Sequence, residues 1–161
     1  MNKYISLFAL LIVISLGACA QKKVTKTTAK GLTYARYERT ACFGRCPAYM
    51  VEVLSNGVVR YTGRQFTEYT GVYEKNIGTT KAQAILKKYA TSKVDTCKDI
   101  YENILPDVPG LNYLFTINGK EKNISNAGFG PKFLEALAVE VDKTAKPDKT
   151  WKKVRDLKPN E

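Results

Sequence analysis

Two closely spaced cysteines are the residues of this chain best suited to chemistry. Cys42 and Cys46 lie four positions apart, with Gly44 between them, in the segment ACFGRCPAY. A glycine permits the tight turn that can bring two cysteines within the roughly 7 Å between Cα atoms that a disulfide requires. In an oxidising compartment a close thiol pair normally becomes a disulfide. Such a bond would fix how the chain turns into the strand that follows.

Three other uses of the thiols stay open at the level of the sequence. Arg39 and Arg45 would favour a thiolate and hence a redox-active pair, although the C-x-x-x-C spacing differs from the C-x-x-C of thioredoxin-like proteins. A metal site could use Cys42, Cys46 and Cys97, but the chain offers no histidine and no second close cysteine pair for a fourth ligand. Cys97 could also form a disulfide with one of the other two.

The absence of histidine restricts the chemistry further. Within this chain it excludes Ser-His-Asp and Cys-His catalysis, HExxH zinc sites and haem ligated by histidine. No serine lies in a G-x-S-x-G or S-x-x-K motif, as the common serine hydrolases require. The sequence therefore predicts a protein that is not an enzyme, with no catalytic residue, no metal ion and no cofactor.

The N-terminal segment predicts export and lipidation. A short basic start precedes an apolar run over residues 5–16, which is too short to span a membrane but suits a secretory signal. The motif LGAC, which ends at Cys19, resembles the lipobox of bacterial lipoproteins. This resemblance implies a signal peptide over residues 1–18, lipidation of Cys19 and a lipidated tether over residues 19–31. Because no acidic residue follows Cys19 closely, it also implies the periplasmic face of the outer membrane.

The chain beyond the tether predicts one domain over residues 32–142, and its first hairpin is the clearest element. Apolar and polar residues alternate on both sides of the turn SNG at residues 55–57. A three-residue loop with Gly57 in the left-handed conformation collects the apolar residues on one face and pairs Glu52 with Arg60 on the other. A two-residue loop would mix the two faces, so the pattern favours the longer loop.

Two amphipathic helices follow the hairpins in this prediction. Thr80 and Gln83 match a capping box, which places the start of the first helix at Thr80. A second hairpin turns at Asn118 and Gly119. Pro131 then suits the first turn of the second helix.

The order of these elements predicts the fold class and the domain organisation. Antiparallel hairpins that alternate with amphipathic helices indicate an α+β fold, in which two helices pack on one face of an antiparallel sheet. Residues 143–161 are predicted to form a basic C-terminal tail. Its single tryptophan, Trp151, is predicted to pack back on the domain.

The cysteine segment resembles an uncharacterised family of small bacterial envelope lipoproteins, a domain of unknown function. The shared pattern R-x-x-C-x-G-x-C-P-x-Y is carried by Arg39, Cys42, Gly44, Cys46, Pro47 and Tyr49. The resemblance extends from about Thr33 to Trp151 and implies the same fold, but it supplies no activity. Because Cys97 is not part of the family pattern, it also favours a disulfide between Cys42 and Cys46.

The charge balance indicates the kind of partner. Lys and Arg number 26 against 15 Asp and Glu, which leaves a formal net charge of +11. A basic protein tethered in the envelope would meet its own membrane, an anionic glycan or an envelope protein rather than nucleic acid. The candidate binding residues are Arg39, Arg45, Tyr49 and Asp107.

The sequence therefore predicts an outer-membrane-anchored periplasmic lipoprotein that acts as a non-catalytic binding domain. The alternative is a thiol–disulfide redox or chaperone-like role at Cys42 and Cys46.

Overall fold

The computed structural model of the protein describes residues 31–105, 107–159 and 161. The predicted signal peptide, Cys19 and the tether up to residue 30 lie outside the described residues. The strands are β1 (Leu32–Arg39), β2 (Ala48–Leu54), β3 (Val58–Gln65), β4 (Gly71–Asn76), β5 (Leu111–Ile117), β6 (Lys120–Ile124) and β7 (Lys152–Arg155). The helices are α1 (Thr79–Thr91) and α2 (Lys132–Ala145). In this part of the chain, no helix has both the length and the hydrophobicity to cross a membrane.

The seven described strands form one antiparallel sheet in the order β6-β5-β1-β2-β3-β4-β7. Strands β1 to β4 form a meander in which each strand pairs with the next. The β5–β6 hairpin extends the sheet on one side, because β5 pairs with β1. On the other side β7 pairs with β4. The first strand of the domain is therefore an interior strand of the sheet.

The predicted fold class, α+β with two amphipathic helices packed on one face of a sheet of hairpins, is wrong. The described residues form mainly a seven-stranded antiparallel sheet with only two short helices. A helix of 13 or 14 residues is about 20 Å long, whereas seven strands spaced about 4.8 Å apart span roughly 29 Å. The pairing of β1 with β5 joins both hairpins into one continuous sheet, which is too wide for these helices to cover as a layer.

The first hairpin confirms the predicted register. Its loop has three residues between β2 and β3, and Gly57 has a φ of 100°. Glu52 lies opposite Arg60, and their side chains form an ion pair with 3.4 Å between Oε2 and Nη1. The apolar partners Val53 and Val59 are both buried on the other face. The second hairpin also turns where it was predicted, around residues 118 and 119.

The hydrophobic core draws side chains from the central strands and from both helices. Among its fully buried members are Tyr37 of β1, Phe115 of β5, Leu86 of α1 and Leu134 of α2. Trp151 is also part of this core, which confirms that it packs back on the domain. Four aromatic rings pack together in this core. Tyr113 contacts Tyr37, Tyr89 and Phe115, and Tyr89 also contacts Phe115, with centroid distances between 5.2 and 6.1 Å.

Two local predictions fail at the ends of elements. Helix α1 begins at Thr79 with Gly78 at its N-cap and has no side-chain capping bond, so the capping box at Thr80 and Gln83 is not formed. Asn76 Oδ1 instead accepts a hydrogen bond of 2.8 Å from the Gly78 N–H, which shapes the turn from β4 into the helix. The segment expected to be a basic tail contains β7, whose four residues are all exposed and give no alternating pattern to predict a strand from.

The sheet has two different ends. At one of them β1 and β3 end and β2, β4 and β5 begin; we call this the loop end, and its loops are residues 40–47, 66–70 and 107–110. Gly31 lies at the opposite end, where its carbonyl accepts a hydrogen bond of 2.9 Å from the Asn118 N–H. The cysteine segment therefore lies at one end of β1, and Gly31, where the described chain starts, lies at the other.

Candidate functional site

The predicted disulfide is present and spans the loop between β1 and β2. Cys42 and Cys46 are bonded, with 5.6 Å between their Cα atoms. Cys97 is buried and not bonded to either of them, so the alternative pairing with Cys97 is wrong. No group of three or more His, Cys, Asp or Glu side chains able to hold a metal ion occurs in the described part of the chain. The disulfide holds the end of β1 beside the start of β2.

On the strands that flank the disulfide loop, Arg39 and Tyr49 belong to a network of polar side chains that converges on Asp142. Both Tyr37 and Tyr49 donate their hydroxyl hydrogen to Oδ1 of Asp142, the latter over 2.8 Å. Arg39 donates from Nε to the Tyr49 hydroxyl oxygen over 3.0 Å. Its Nη2 lies 3.1 Å from Oε1 of Glu135 and 3.5 Å from Oδ2 of Asp142. Five side chains are thus linked in one cluster, which we call the Asp142 network.

Sheet register and helix periodicity place these side chains together. Arg39 and Tyr49 are direct partners across β1 and β2. Glu135 and Asp142 are seven residues apart on α2, which is close to two turns, so both lie on one side of the helix. Side chains alternate along a strand, so Tyr37 shares the inward face with Arg39. Two adjacent strands and one helix therefore build the network.

The electrostatic setting keeps the hydroxyls neutral and the guanidinium charged. Burial, reinforced by the neighbouring Asp142 carboxylate, raises the pKa of Tyr49 to about 12. The same two causes raise the pKa of Tyr37 further still. Burial acts to lower the pKa of Arg39, but Tyr49, Glu135 and Asp142 outweigh it and raise that pKa above its ordinary value. Near neutral pH both tyrosines can therefore donate hydrogen bonds, and Arg39 remains a cation.

A pocket of about 380 Å³ opens at the loop end, and two members of the Asp142 network line it. Its walls carry four aromatic rings, two prolines and three charged side chains. The rings belong to Tyr49, Tyr61, Phe66 and Tyr69, the prolines are Pro47 and Pro147, and the charged side chains are Glu68, Asp142 and Lys146. Volumes of roughly 300 to 1,000 Å³ are typical of pockets that bind small molecules.

The aromatic walls come from strands β2 and β3 and from the loop that joins β3 to β4. The rings of Tyr49 and Tyr61 are stacked, with centroids 5.5 Å apart and planes 25° apart. Tyr69 meets Tyr73 edge to face at 5.5 Å. Phe66 is 57% exposed and has a φ of 54°. A left-handed conformation is costly for a bulky residue, and such residues are enriched at binding sites and active sites.

Of the four candidate binding residues, the structure brings two together and leaves two apart. Arg39 and Tyr49 are bonded to each other, and Tyr49 also lines the pocket. Arg45 is exposed on the disulfide loop and Asp107 is exposed on another loop. Neither of these two lines the pocket or joins the Asp142 network.

Sequence reasoning missed the helix side of the site. Asp142 follows Val141, which is buried, and so stands at the margin of the apolar stripe of α2. A carboxylate in that position needs a polar partner, and this was the available signal. Phe66 gave no comparable signal, because nothing in its sequence neighbourhood indicates a positive φ.

Comparison with known proteins gives a family but no activity. None of the curated proteins compared with the chain matches it. The family described as a domain of unknown function, DUF6438, matches residues 33–145. The matched segment holds the disulfide, the whole Asp142 network and the aromatic walls of the pocket. Because the match covers well over half of the sequence, the chain belongs to the DUF6438 family.

Proposed function

We propose that the protein is a non-catalytic binding domain of the bacterial cell envelope, anchored by a lipid on Cys19, and that its ligand occupies the aromatic pocket at the loop end. The observation that carries this proposal is the pocket itself, in which four aromatic rings and the carboxylate of Asp142 line one cavity. The sequence supports the anchor through its signal segment and the LGAC motif.

The pocket is braced before any ligand arrives. Tyr49 is held by Arg39 on one side and by Asp142 on the other, with distances of 3.0 and 2.8 Å. The disulfide fixes the loop that leads through Pro47, a pocket residue, into β2. Side chains that are already ordered lose little conformational entropy on binding, which favours affinity. Such rigidity is what a recognition site needs.

The direction of the chain supports access to the pocket. The chain enters the sheet at Gly31, at the end opposite the loop end. β1 has eight residues, so roughly 27 Å of strand separates its two ends. A lipid attached before Gly31 therefore leaves the pocket on the far side of the domain, where it can meet soluble or cell-wall ligands.

A thiol–disulfide redox role at Cys42 and Cys46 is not part of this proposal. One of the two cations expected to stabilise a thiolate, Arg39, is engaged by Tyr49, Glu135 and Asp142. Its guanidinium is therefore committed to the interior of the domain and not to a sulfur atom.

Site-specific photocrosslinking in intact cells tests the pocket. The photoreactive phenylalanine analogue p-benzoylphenylalanine replaces Phe66 at the pocket and, as the control, Lys120 at the opposite end of the sheet. We expect a discrete covalent adduct from position 66 and none from position 120, with mass spectrometry identifying the captured molecule. Equal labelling at both positions, or none at position 66, would contradict the proposal.

Replacement of one cysteine tests the anchor. Cys19→Ala should abolish incorporation of a labelled fatty acid and move the protein out of the membrane fraction, since the lipid would be lost. Cys97→Ala serves as the matched control, because that thiol is buried within the domain. Membrane association of Cys19→Ala at the level of the unchanged protein would show that the anchor is misassigned.

A further inference from the structure

The charge of the pocket is opposite to the charge of the protein. The chain carries a formal net charge of +11, yet within the described ranges the charged side chains that line the pocket are two carboxylates, Glu68 and Asp142, and one ammonium, Lys146. Adding the remaining charged members of the Asp142 network, Arg39 and Glu135, leaves the same excess of one negative charge. A pocket of this sign repels an anion and attracts a cation.

Asp142 has capacity to accept a further hydrogen bond inside the pocket. An ionised carboxylate offers about four acceptor positions. Among the residues that the structure describes, Oδ1 accepts from the hydroxyls of Tyr37 and Tyr49, whereas Oδ2 has only the Nη2 of Arg39, at 3.5 Å. The Asp142 side chain is 31% exposed. A donor that enters the pocket would therefore find an oriented oxygen atom with a free position.

The walls around this oxygen suit a cation as well. The faces of tyrosine and phenylalanine attract a cation that comes within about 6 Å of the ring centre. Tyr49 and Tyr61 are stacked on each other at 5.5 Å, so each offers at most its outer face to a cation, and Phe66 and Tyr69 line the same cavity. Burial, the largest cause in each case, raises the pKa of Tyr49 and of Tyr61 to about 12, so these rings are uncharged near neutral pH.

We infer that the pocket binds an organic ammonium group, with the Asp142 carboxylate as its counter-ion and the rings of Tyr49, Tyr61, Phe66 and Tyr69 as its walls. This inference rests on the proposed binding function and names the ligand class for that site. An anionic ligand would face Glu68 and Asp142 with only Lys146 in its favour. A neutral sugar would use the rings but would leave the carboxylate without an opposite charge.

A matched pair of small probes tests the inference. Choline carries a quaternary ammonium, and 3,3-dimethylbutanol has the same shape with a neutral carbon in place of nitrogen. Each is titrated into the full-length protein in an uncharged maltoside detergent, while NMR follows the backbone amides of Phe66 and Tyr69. We expect choline to bind roughly tenfold more tightly than the neutral isostere.

Charge variants sharpen the result. Asp142→Asn should weaken choline binding about tenfold, and Glu68→Gln, which lies outside the network, should weaken it by a smaller factor. Lys146→Gln should strengthen binding, because it removes a like charge. Lys132→Gln, at the far end of α2, is the control and should leave the affinity unchanged. Because Glu68 and Lys146 are exposed, their variants should still fold, and they keep the test decisive even if Asp142→Asn fails to fold.

The remaining outcomes separate this inference from the proposed function. Equal affinity for both probes, or binding of N-acetylglucosamine without choline, would overturn the ammonium inference and leave a binding pocket in place. Absence of any shift at Phe66 and Tyr69 would also overturn it, whereas the photocrosslink at position 66 decides the proposed function independently. Unchanged choline affinity in both Glu68→Gln and Lys146→Gln would likewise count against the inference.

Discussion

Asp142 connects the core of the protein to its pocket. One of its oxygen atoms accepts hydrogen bonds from two strand tyrosines, and the same side chain lines the cavity. Hydrogen bonds to a charged group contribute roughly 1.5 to 3 kcal/mol each, and an unsatisfied buried donor is costly. At the residue scale, the stability of the sheet–helix contact and the chemistry of the pocket therefore depend on one carboxylate.

Replacing this carboxylate by its amide should destabilise the protein. In Asp142→Asn a neutral carbonyl replaces the charged acceptor of Tyr37 and Tyr49, and an amide N–H₂ approaches Arg39. We expect the free energy of unfolding to fall by about 2 to 3 kcal/mol, measured by urea denaturation. Glu140→Gln, an exposed change on the same helix, should leave the unfolding midpoint essentially unchanged. Equal midpoints for the two variants would mean that the network does not stabilise the fold.

The disulfide should contribute a modest stabilisation. It closes a very short loop, since Cys42 and Cys46 are four residues apart, and the loop-closure model gives about 2 kcal/mol for so short a loop. The double variant Cys42→Ser with Cys46→Ser should lose that amount in urea denaturation. In a thiol assay of the denatured protein with its cysteines unchanged, reduction should release the thiols of Cys42 and Cys46 in addition to that of Cys97. Release of none would show that the bond does not form in the cell.

At the scale of elements, the turn between β2 and β3 lies against the start of α1. Gly57 has a φ of 100°, and a Cβ placed on it would lie 2.8 Å from the backbone of Gly78 and Thr79. Hence the hairpin loop packs directly against the start of the helix. The Ile77 N–H donates to the Gly57 carbonyl over 2.9 Å, which ties the two segments together. The bare backbone of glycine is needed here for space as well as for conformation.

Two alanine substitutions separate the cost of the left-handed conformation from the cost of the missing space. Gly119 has a φ of 75° and open space around its Cβ position, so Gly119→Ala should cost about 1 kcal/mol for conformation alone. Gly57→Ala adds a clash with the backbone and should cost roughly 2 kcal/mol more, in the range of overpacked sites. Thermal and urea unfolding give both values. Equal costs at the two positions would refute the close contact between the hairpin and α1.

At the scale of the whole molecule, the sheet and helix α1 together join five of the ten tyrosines into a connected aromatic layer. Tyr37 contacts both Tyr49 and Tyr113, and Tyr113 contacts Tyr89, each with centroids about 6 Å apart. Burial is the largest cause of the raised pKa of each of these four side chains. The buried layer therefore favours the neutral form of these tyrosine hydroxyls. The free energy of unfolding must then depend on pH in the alkaline range, where tyrosine ionises.

The sign of this dependence follows from the shift. An unfolded tyrosine has a pKa of about 10, whereas the pKa of Tyr49 and of Tyr61 in the folded protein is about 12. Their contribution to stability is complete below pH 10 and is lost as the pH rises through the folded value near 12. The free energy of unfolding should therefore fall over this interval, together with tyrosinate formation in the ultraviolet spectrum.

Lysine side chains also lose their charge near pH 10, so a variant is needed to isolate the contribution of tyrosine ionisation to the alkaline loss of stability. Tyr61→Phe removes one ionisable ring and keeps its packing, so the alkaline loss of stability should be smaller than in the unchanged protein. If both proteins lose stability equally between pH 10 and pH 12, the ionisation of Tyr61 is not coupled to folding.

Local sequence patterns determined the two hairpins, their turns and the faces of the strands of the first hairpin. Alternation around Gly57 predicted the register of Glu52 against Arg60, and the spacing of Cys42 and Cys46 with Gly44 indicated their disulfide. These features depend on residues only a few positions apart, so the chain carries their signal within a short window. The start of α1 was missed because the turn at Gly78 displaced a capping pattern that was locally consistent.

Only the tertiary structure decided the width of the sheet and the composition of the pocket. β7 forms because Trp151 is buried beside it and β4 offers an open edge, not because its own residues favour a strand. Asp142 meets Tyr49 across 93 positions of sequence. Contacts over such separations have no local periodicity, since the chain path between them sets the distance. The motif therefore pointed to Arg39 and Tyr49 as candidate binding residues. Only the folded sheet and helix bring the carboxylate of Asp142 to both of them.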